Sequence, residues 1–215
     1  MSLPELEWQI IYGRLGWAVA LAALATALWP RTWQLSRRTV ALVLICAVGL
    51  QALPGEASLT YWLGLAFQWP SGLLVGLCLV RLHSAWLGTP ATAAMTPALA
   101  MPIVLAGSVL YLDAIGLVSQ GYYYWGFGRE SVPLLALLIA AACAATAILG
   151  QARPQSLALL AGMTLFAVLR LPTGNLWDAL LDPFLWIWAF MALAEKCWCW
   201  GSGLPQWASR LGKHS

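Results

Sequence analysis

The sequence predicts an all-α polytopic membrane protein: one transmembrane helical bundle of about seven spanning helices, N-terminus out and C-terminus in. Three observations carry that expectation. Of the 215 residues, 61% are hydrophobic and only 9% are charged, whereas an ordinary soluble domain carries about 25% charged residues. The mean hydropathy is +0.77, and the apolar residues lie in long runs, as they do where lipid is the solvent and every backbone amide must be paired within the protein. Basic residues cluster on one side of those runs, which fixes a direction.

The first run, Trp8 to Trp29, holds Arg14 near its start and ends at Pro30. The segment before it contains Glu5 and Glu7 and no basic residue, so it does not read as a cleavable signal, and the first helix is expected to stay in the mature protein. The second run, Thr39 to Leu53, stops at the turn signal Pro54-Gly55-Glu56. The third, Leu59 to Leu82, is interrupted by Gln68-Trp69-Pro70-Ser71-Gly72. Pro70 either kinks one spanning helix or separates a shorter helix from a later span.

Thr96-Pro97 opens a fourth span to Val118, because a threonine cap followed by proline is a favoured helix start. Ser131 is expected to cap a fifth span, Val132 to Gly150, and Ser156 a sixth, to Leu171. The sixth is closed by Pro172-Thr173-Gly174-Asn175, and Asp182-Pro183 repeats the cap-and-proline start for a seventh, to Trp200. Asn175 is a candidate cap for the short stretch Leu176 to Leu181.

Alternating these spans puts Arg31, Arg37, Arg38, Arg81, Arg153, Lys196, Arg210 and Lys213 on one side and leaves Arg14, Arg129 and Arg170 on the other. The first side is therefore expected to be cytoplasmic. Acidic residues partition the opposite way, with Glu195 alone inside, and Trp8, Trp29, Trp62, Trp86, Trp125, Trp177 and Trp200 fall near span ends as an interfacial belt would. The expected location is an integral position in a bacterial cytoplasmic (inner) membrane. Residues 1–215 read as a single membrane domain, with no internal repeat, and an odd number of spans does not divide into the equal inverted halves common in secondary transporters.

Two small-residue patterns allow close helix approach: Gly72-Leu73-Leu74-Val75-Gly76, and Ala136, Ala140 and Ala144 at four-residue spacing. Each suits packing inside one chain or a homo-oligomer or membrane-complex interface. Membrane lipid is an expected partner; nucleic acid is not, because the net charge of +3 is dispersed along the chain.

Candidate functional residues gather on the outer side. Tyr111 and Asp113 precede a loop running through Gln120, Tyr122, Tyr123, Tyr124, Trp125, Arg129 and Glu130. Four consecutive aromatics among glycines suit either an interfacial anchor or a platform for an amphipathic ligand, such as a lipid head group, a lipid-linked carrier or a sugar. An ionisable group within the membrane boundary is costly and needs a partner or a cavity. Asp113, Glu130, Asp178 or Asp182 is therefore expected to form a charge cluster with Arg129 or Arg170. Paired carboxylates also suit general acid and base work, with Asp113 and Glu130 as the candidate catalytic pair.

Several chemistries lack their residues. Two histidines, His83 and His214, exclude a bis-histidine haem within the bundle. The five cysteines, including the Cys197-Trp198-Cys199 pair, do not form a zinc-site pattern, so no metal or cofactor is expected. No GxSxG, HExxH, Walker or GxGxxG pattern occurs. Three functions fit what remains: a non-catalytic ligand-binding, transport or membrane-complex subunit, an intramembrane enzyme acting on a lipid-linked substrate at the outer face, and a proton-coupled carrier using Asp113.

Overall fold

A computed structural model describes residues 3–30, 35–88, 94–128, 130–150 and 152–201, with side chains as far as Trp198. The described residues are helical, without strands. Nine α-helices occur among them: α1 (Leu6–Leu28), α2 (Arg37–Ala52), α3 (Leu59–Phe67), α4 (Gly72–Leu87), α5 (Pro97–Ala114), α6 (Ser131–Ile148), α7 (Arg153–Leu169), α8 (Leu176–Leu180) and α9 (Pro183–Gly201). Short 3-10 helices lie at Gly55–Ala57 and Tyr122–Phe127. Among the described residues α1, α5 and α6 are long and apolar enough to cross a membrane, and α4 and α7 are shorter apolar helices.

Local chemistry explains most helix starts. Thr96, Asn175 and Asp182 accept the backbone N–H groups of Leu99, Trp177 and Leu185, so each caps the helix that follows. Ser36 does the same for Thr39, which carries α2 back to Arg37 rather than Thr39. Two expected caps differ. Ser131 is the first helical residue of α6, and its hydroxyl instead donates to the Trp125 carbonyl at 2.7 Å. Ser156 lies inside α7, which begins at Arg153 with Pro154 in its first turn; its Oγ pairs with Thr146 Oγ1 at 2.7 Å across the α6–α7 hairpin. At the other end, α5 stops at Ala114, four residues short of Val118, and Asp113 sits in its last turn.

The run from Leu59 to Leu82, where a kink and a break at Pro70 were both open, is two helices, α3 and α4. At Gln68 the backbone turns to φ 60°, ψ −133°, ending α3, and Ser71 caps a new helix by accepting from Leu74 N. Pro70 contributes no N–H to continue the ladder. The exposed backbone is satisfied from neighbouring helices: Trp17 Nε1 donates to the Gln68 carbonyl at 3.2 Å, Tyr12 Oη to the Pro70 carbonyl at 2.8 Å, and Ser71 N to Asp182 Oδ2 at 2.9 Å. Backbone groups opened by a helix break and buried from water need partners of this kind.

The main interior cluster is built from α1, α2, α4, α5, α7 and α9 around Ala22, Leu73, Leu77, Ala100 and Leu185. A second cluster joins α6, α7 and α8 around Met163, Phe166 and Leu176. Small residues set the closest helix approach. A Cβ added at Gly72 would lie 2.8 Å from the Gly162 Cα, and one at Gly76 would lie 2.8 Å from the Ala158 Cβ. The Gly72–Gly76 face is thus packed on α7 within the chain. Ala136 and Ala140 of the other stripe likewise pack against the second cluster.

Candidate functional site

The joint between α3 and α4 lies against the joint between α8 and α9, and Asp182 links them. Its Oδ1 caps α9 by accepting from Leu185 N at 2.9 Å, while its Oδ2 accepts from Ser71 N, the residue before α4. One buried carboxylate therefore holds the starts of two helices. Aromatic contacts stiffen the same region: Phe184 meets Trp17 and Phe67 edge-on, with centroids at 5.3 and 4.7 Å.

The aromatic loop is fixed over α8 by polar contacts. Asp113 accepts from three loop amides, with Oδ1 receiving Gln120 N and Gly121 N at 3.1 and 2.9 Å and Oδ2 receiving Tyr123 N at 3.0 Å. From below, Asn175 Nδ2 donates to the Tyr123 carbonyl at 3.2 Å and Trp177 Nε1 to the Tyr122 carbonyl at 3.1 Å. Gly126 is required at its position because a Cβ there would collide with the Asn175 side chain. Tyr123 turns inward, where its hydroxyl donates to Asp178, whereas Tyr124, Trp125 and Phe127 face outward.

Beneath this loop is a cavity of about 330 Å³. Its aromatic walls are Phe67, Trp69, Tyr111, Tyr123 and Trp177, and its polar groups come from Gln68, Thr173, Asp178 and Asp182. Asp178 accepts from Tyr123 and from the Thr173 hydroxyl. Burial pushes its carboxyl above the ordinary value, an effect opposed by the hydrogen bonds from Thr173 and Tyr123. The Tyr123 phenol is pushed up to about 12, chiefly by burial and then by the neighbouring Asp178 charge. No Lys, Arg or His lines this cavity among the described residues.

No protein-family model, curated protein or solved structure matches this chain.

Of the outer-side candidates, Tyr111, Tyr123, Asp178 and Asp182 are brought together around the cavity. Asp113, Gln120 and Tyr122 belong to the framework that holds the loop. Tyr124 and Glu130 are exposed and line neither this cavity nor a second one described below. Arg129 lies outside the described residues. Arg170 ends α7 with φ 58° and rests its guanidinium over the Phe166 ring at 5.2 Å. The expected ion-pair cluster is therefore replaced, among the described residues, by hydrogen bonds from hydroxyls and backbone amides to the carboxylates. Among the described residues, no three His, Cys, Asp or Glu side chains converge as a metal site requires.

A second cavity, of about 450 Å³, lies across the α3–α4 joint and shares Gln68, Trp69 and Thr173 with the first. Gln9, Arg14, Ser58 and Thr60 supply its other main polar groups. The sequence pointed to no site at Trp69, Thr173 and Trp177. Trp69 was legible only as a neighbour of Pro70, and Trp177 only as a span-end tryptophan. Their convergence comes from chain joints some hundred residues apart.

Proposed function

We propose that this protein spans the membrane seven times, N-terminus out and C-terminus in, and binds the polar head of an amphipathic ligand in the 330 Å³ cavity on its outer side. On this reading α3 and α4 together make the third crossing, α9 makes the seventh, and α8 belongs to the outer connection. The contact of Arg37 Nε with the Trp86 carbonyl at 3.2 Å supports the register, because it joins the start of α2 to the end of α4, two sites the basic partition assigns to the cytoplasmic side. The contact of Gln9 Nε2 with the Pro172 carbonyl at 2.6 Å similarly joins two sites assigned to the outside.

The observation that carries the binding reading is the cavity lining itself: five aromatic rings around an amide, a hydroxyl and two carboxylates, without a cation. A mostly apolar concave site with a few convergent polar groups is the usual form of a small-molecule site. Its chemistry favours a hydroxylated or cationic head, which can stack on aromatic faces and meet Asp178. An anionic head would meet two carboxylates. Binding without catalysis is favoured because the Asp113 carboxylate is occupied by three loop amides and neither it nor Glu130 lines either of the two cavities.

The test is a titration of the nanodisc-embedded protein with octyl glucoside and with dodecyltrimethylammonium, followed by tryptophan fluorescence. A saturable response to at least one, weakened at least tenfold by Trp177→Ala, is expected. No saturable response to either, or a response unchanged by Trp177→Ala, would remove the reading.

A further inference from the structure

The second cavity contains an arginine for which the outer-face chemistry has given no use. Arg14 lies eight residues into α1, about 12 Å along the axis at 1.5 Å per residue. It is part of a helix long and apolar enough to cross a membrane. An ionisable side chain in such a place is costly unless it meets a partner, a wet cavity or the interface. Arg14 lines the 450 Å³ cavity, and no Asp or Glu among the described residues lines it too. Glu7, earlier on α1, and Glu56, next to the lining residue Gly55, form no ion pair with it.

The rest of the lining supplies donors and an apolar mouth. Gln9, Ser58, Thr60, Tyr61 and Gln68 bring amides and hydroxyls. The Ser58 and Thr60 hydroxyls donate to Gln51, and Gln9 Nε2 donates to the Pro172 carbonyl. Ile10, Tyr61 and Leu65 line the cavity and are exposed on the bundle surface, Leu65 at 67%. The site thus offers a planar cation, with the Tyr61 hydroxyl and the Gln68 amide as neutral donors, beside a surface suited to acyl chains.

We propose that the Arg14 cavity binds a phosphate-bearing anionic head group, with the chains of a phospholipid lying along Ile10, Tyr61 and Leu65. The guanidinium matches two phosphate oxygens as a fork, and the apolar rim gives the lipid its advantage over a free phosphate. Arg14 does not line the neighbouring aromatic cavity, so the two sites fail or succeed separately.

The experiment measures, by native mass spectrometry of the full chain released from nanodiscs, retention of dioleoylphosphatidylglycerol against dioleoylphosphatidylcholine. Preferential retention of the anionic lipid is expected, reduced at least tenfold by Arg14→Gln and unaffected by Arg170→Gln. In the unsubstituted protein, glycerol phosphate should displace the lipid and glycerol should not, which tests the site without relying on a variant that folds. Displacement by glycerol phosphate at concentrations comparable to the lipid's own would keep the phosphate site and assign it to a soluble phosphate ester. Equal retention of the two lipids, retention unchanged by Arg14→Gln, or no displacement by glycerol phosphate would overturn the proposal, leaving Arg14 as a side chain that reaches only for the interface.

Discussion

Asp113, Asp178 and Asp182 are three acids with three different tasks. Asp113 has its oxygens on loop amides, which fixes where Tyr123 can point. Asp182 has its oxygens on the amides of Ser71, just before α4, and of Leu185, in the first turn of α9. Asp178 faces the cavity, and its partners are side-chain hydroxyls that can turn toward a ligand. Because burial holds its carboxyl above the ordinary value, protonation favours the folded state. That contribution is fully present below the unfolded value of about 3.9 and is lost as pH rises through the raised folded one. Asp178→Asn cannot titrate. The melting temperature of the natural protein in detergent, relative to Asp178→Asn, should accordingly fall as pH is raised from 4 to 7; a difference that is flat or rises would contradict the assignment.

At the scale of elements, the organising feature is the pair of helix joints. In lipid, apolar burial gives little drive for helix association, so close packing and satisfied polar groups decide which arrangement holds. Gly72 against Gly162 brings α4 and α7 together, and Asp182 then bridges α4 to α9. Asp182→Ala would leave Ser71 N and Leu185 N buried without acceptors, at a cost of about 2–4 kcal/mol. Asp182→Asn retains one acceptor oxygen and should cost roughly half as much. Denaturation in mixed micelles should rank them in that order, and an Ala variant as stable as the natural protein would show that the joint is held by something else. The caps at Thr96, Asn175 and Asp182 were legible in the sequence because a cap is local: the acceptor and the amide it serves are two or three residues apart. The bridge from Asp182 to Ser71 was not, since those residues are 111 apart and only packing brings them together. Ser131 and Ser156 do not cap because nearby groups claim their hydroxyls, the Trp125 carbonyl and the Thr146 hydroxyl.

Across the whole molecule, hydropathy and turn residues located the helices to within a few positions, apart from the division at Gln68 to Ser71. Pro70 marked that division without deciding between a kink and a break; the decision comes from Trp17, Tyr12 and Asp182, which satisfy the opened backbone. The candidate site was legible as a region rather than as a set of side chains. The carboxylates and tyrosines were visible because polar groups are sparse in so apolar a chain, whereas of the cavity walls Trp177 resembled an ordinary interfacial tryptophan and Trp69 only a neighbour of Pro70. Arg14 was visible as the sole basic residue of the first run, but its cavity depends on how α1 meets α3.

The proposed binding region opens to the outside, and Thr173 lies on the wall shared by both cavities. The direct measurement is labelling with a membrane-impermeant maleimide in intact cells, using Thr173→Cys and Lys196→Cys in a background without the natural cysteines. Thr173→Cys should react in intact cells, and Lys196→Cys only after the membrane is permeabilised. The reverse pattern, or no reaction of Thr173→Cys from outside, would contradict the account.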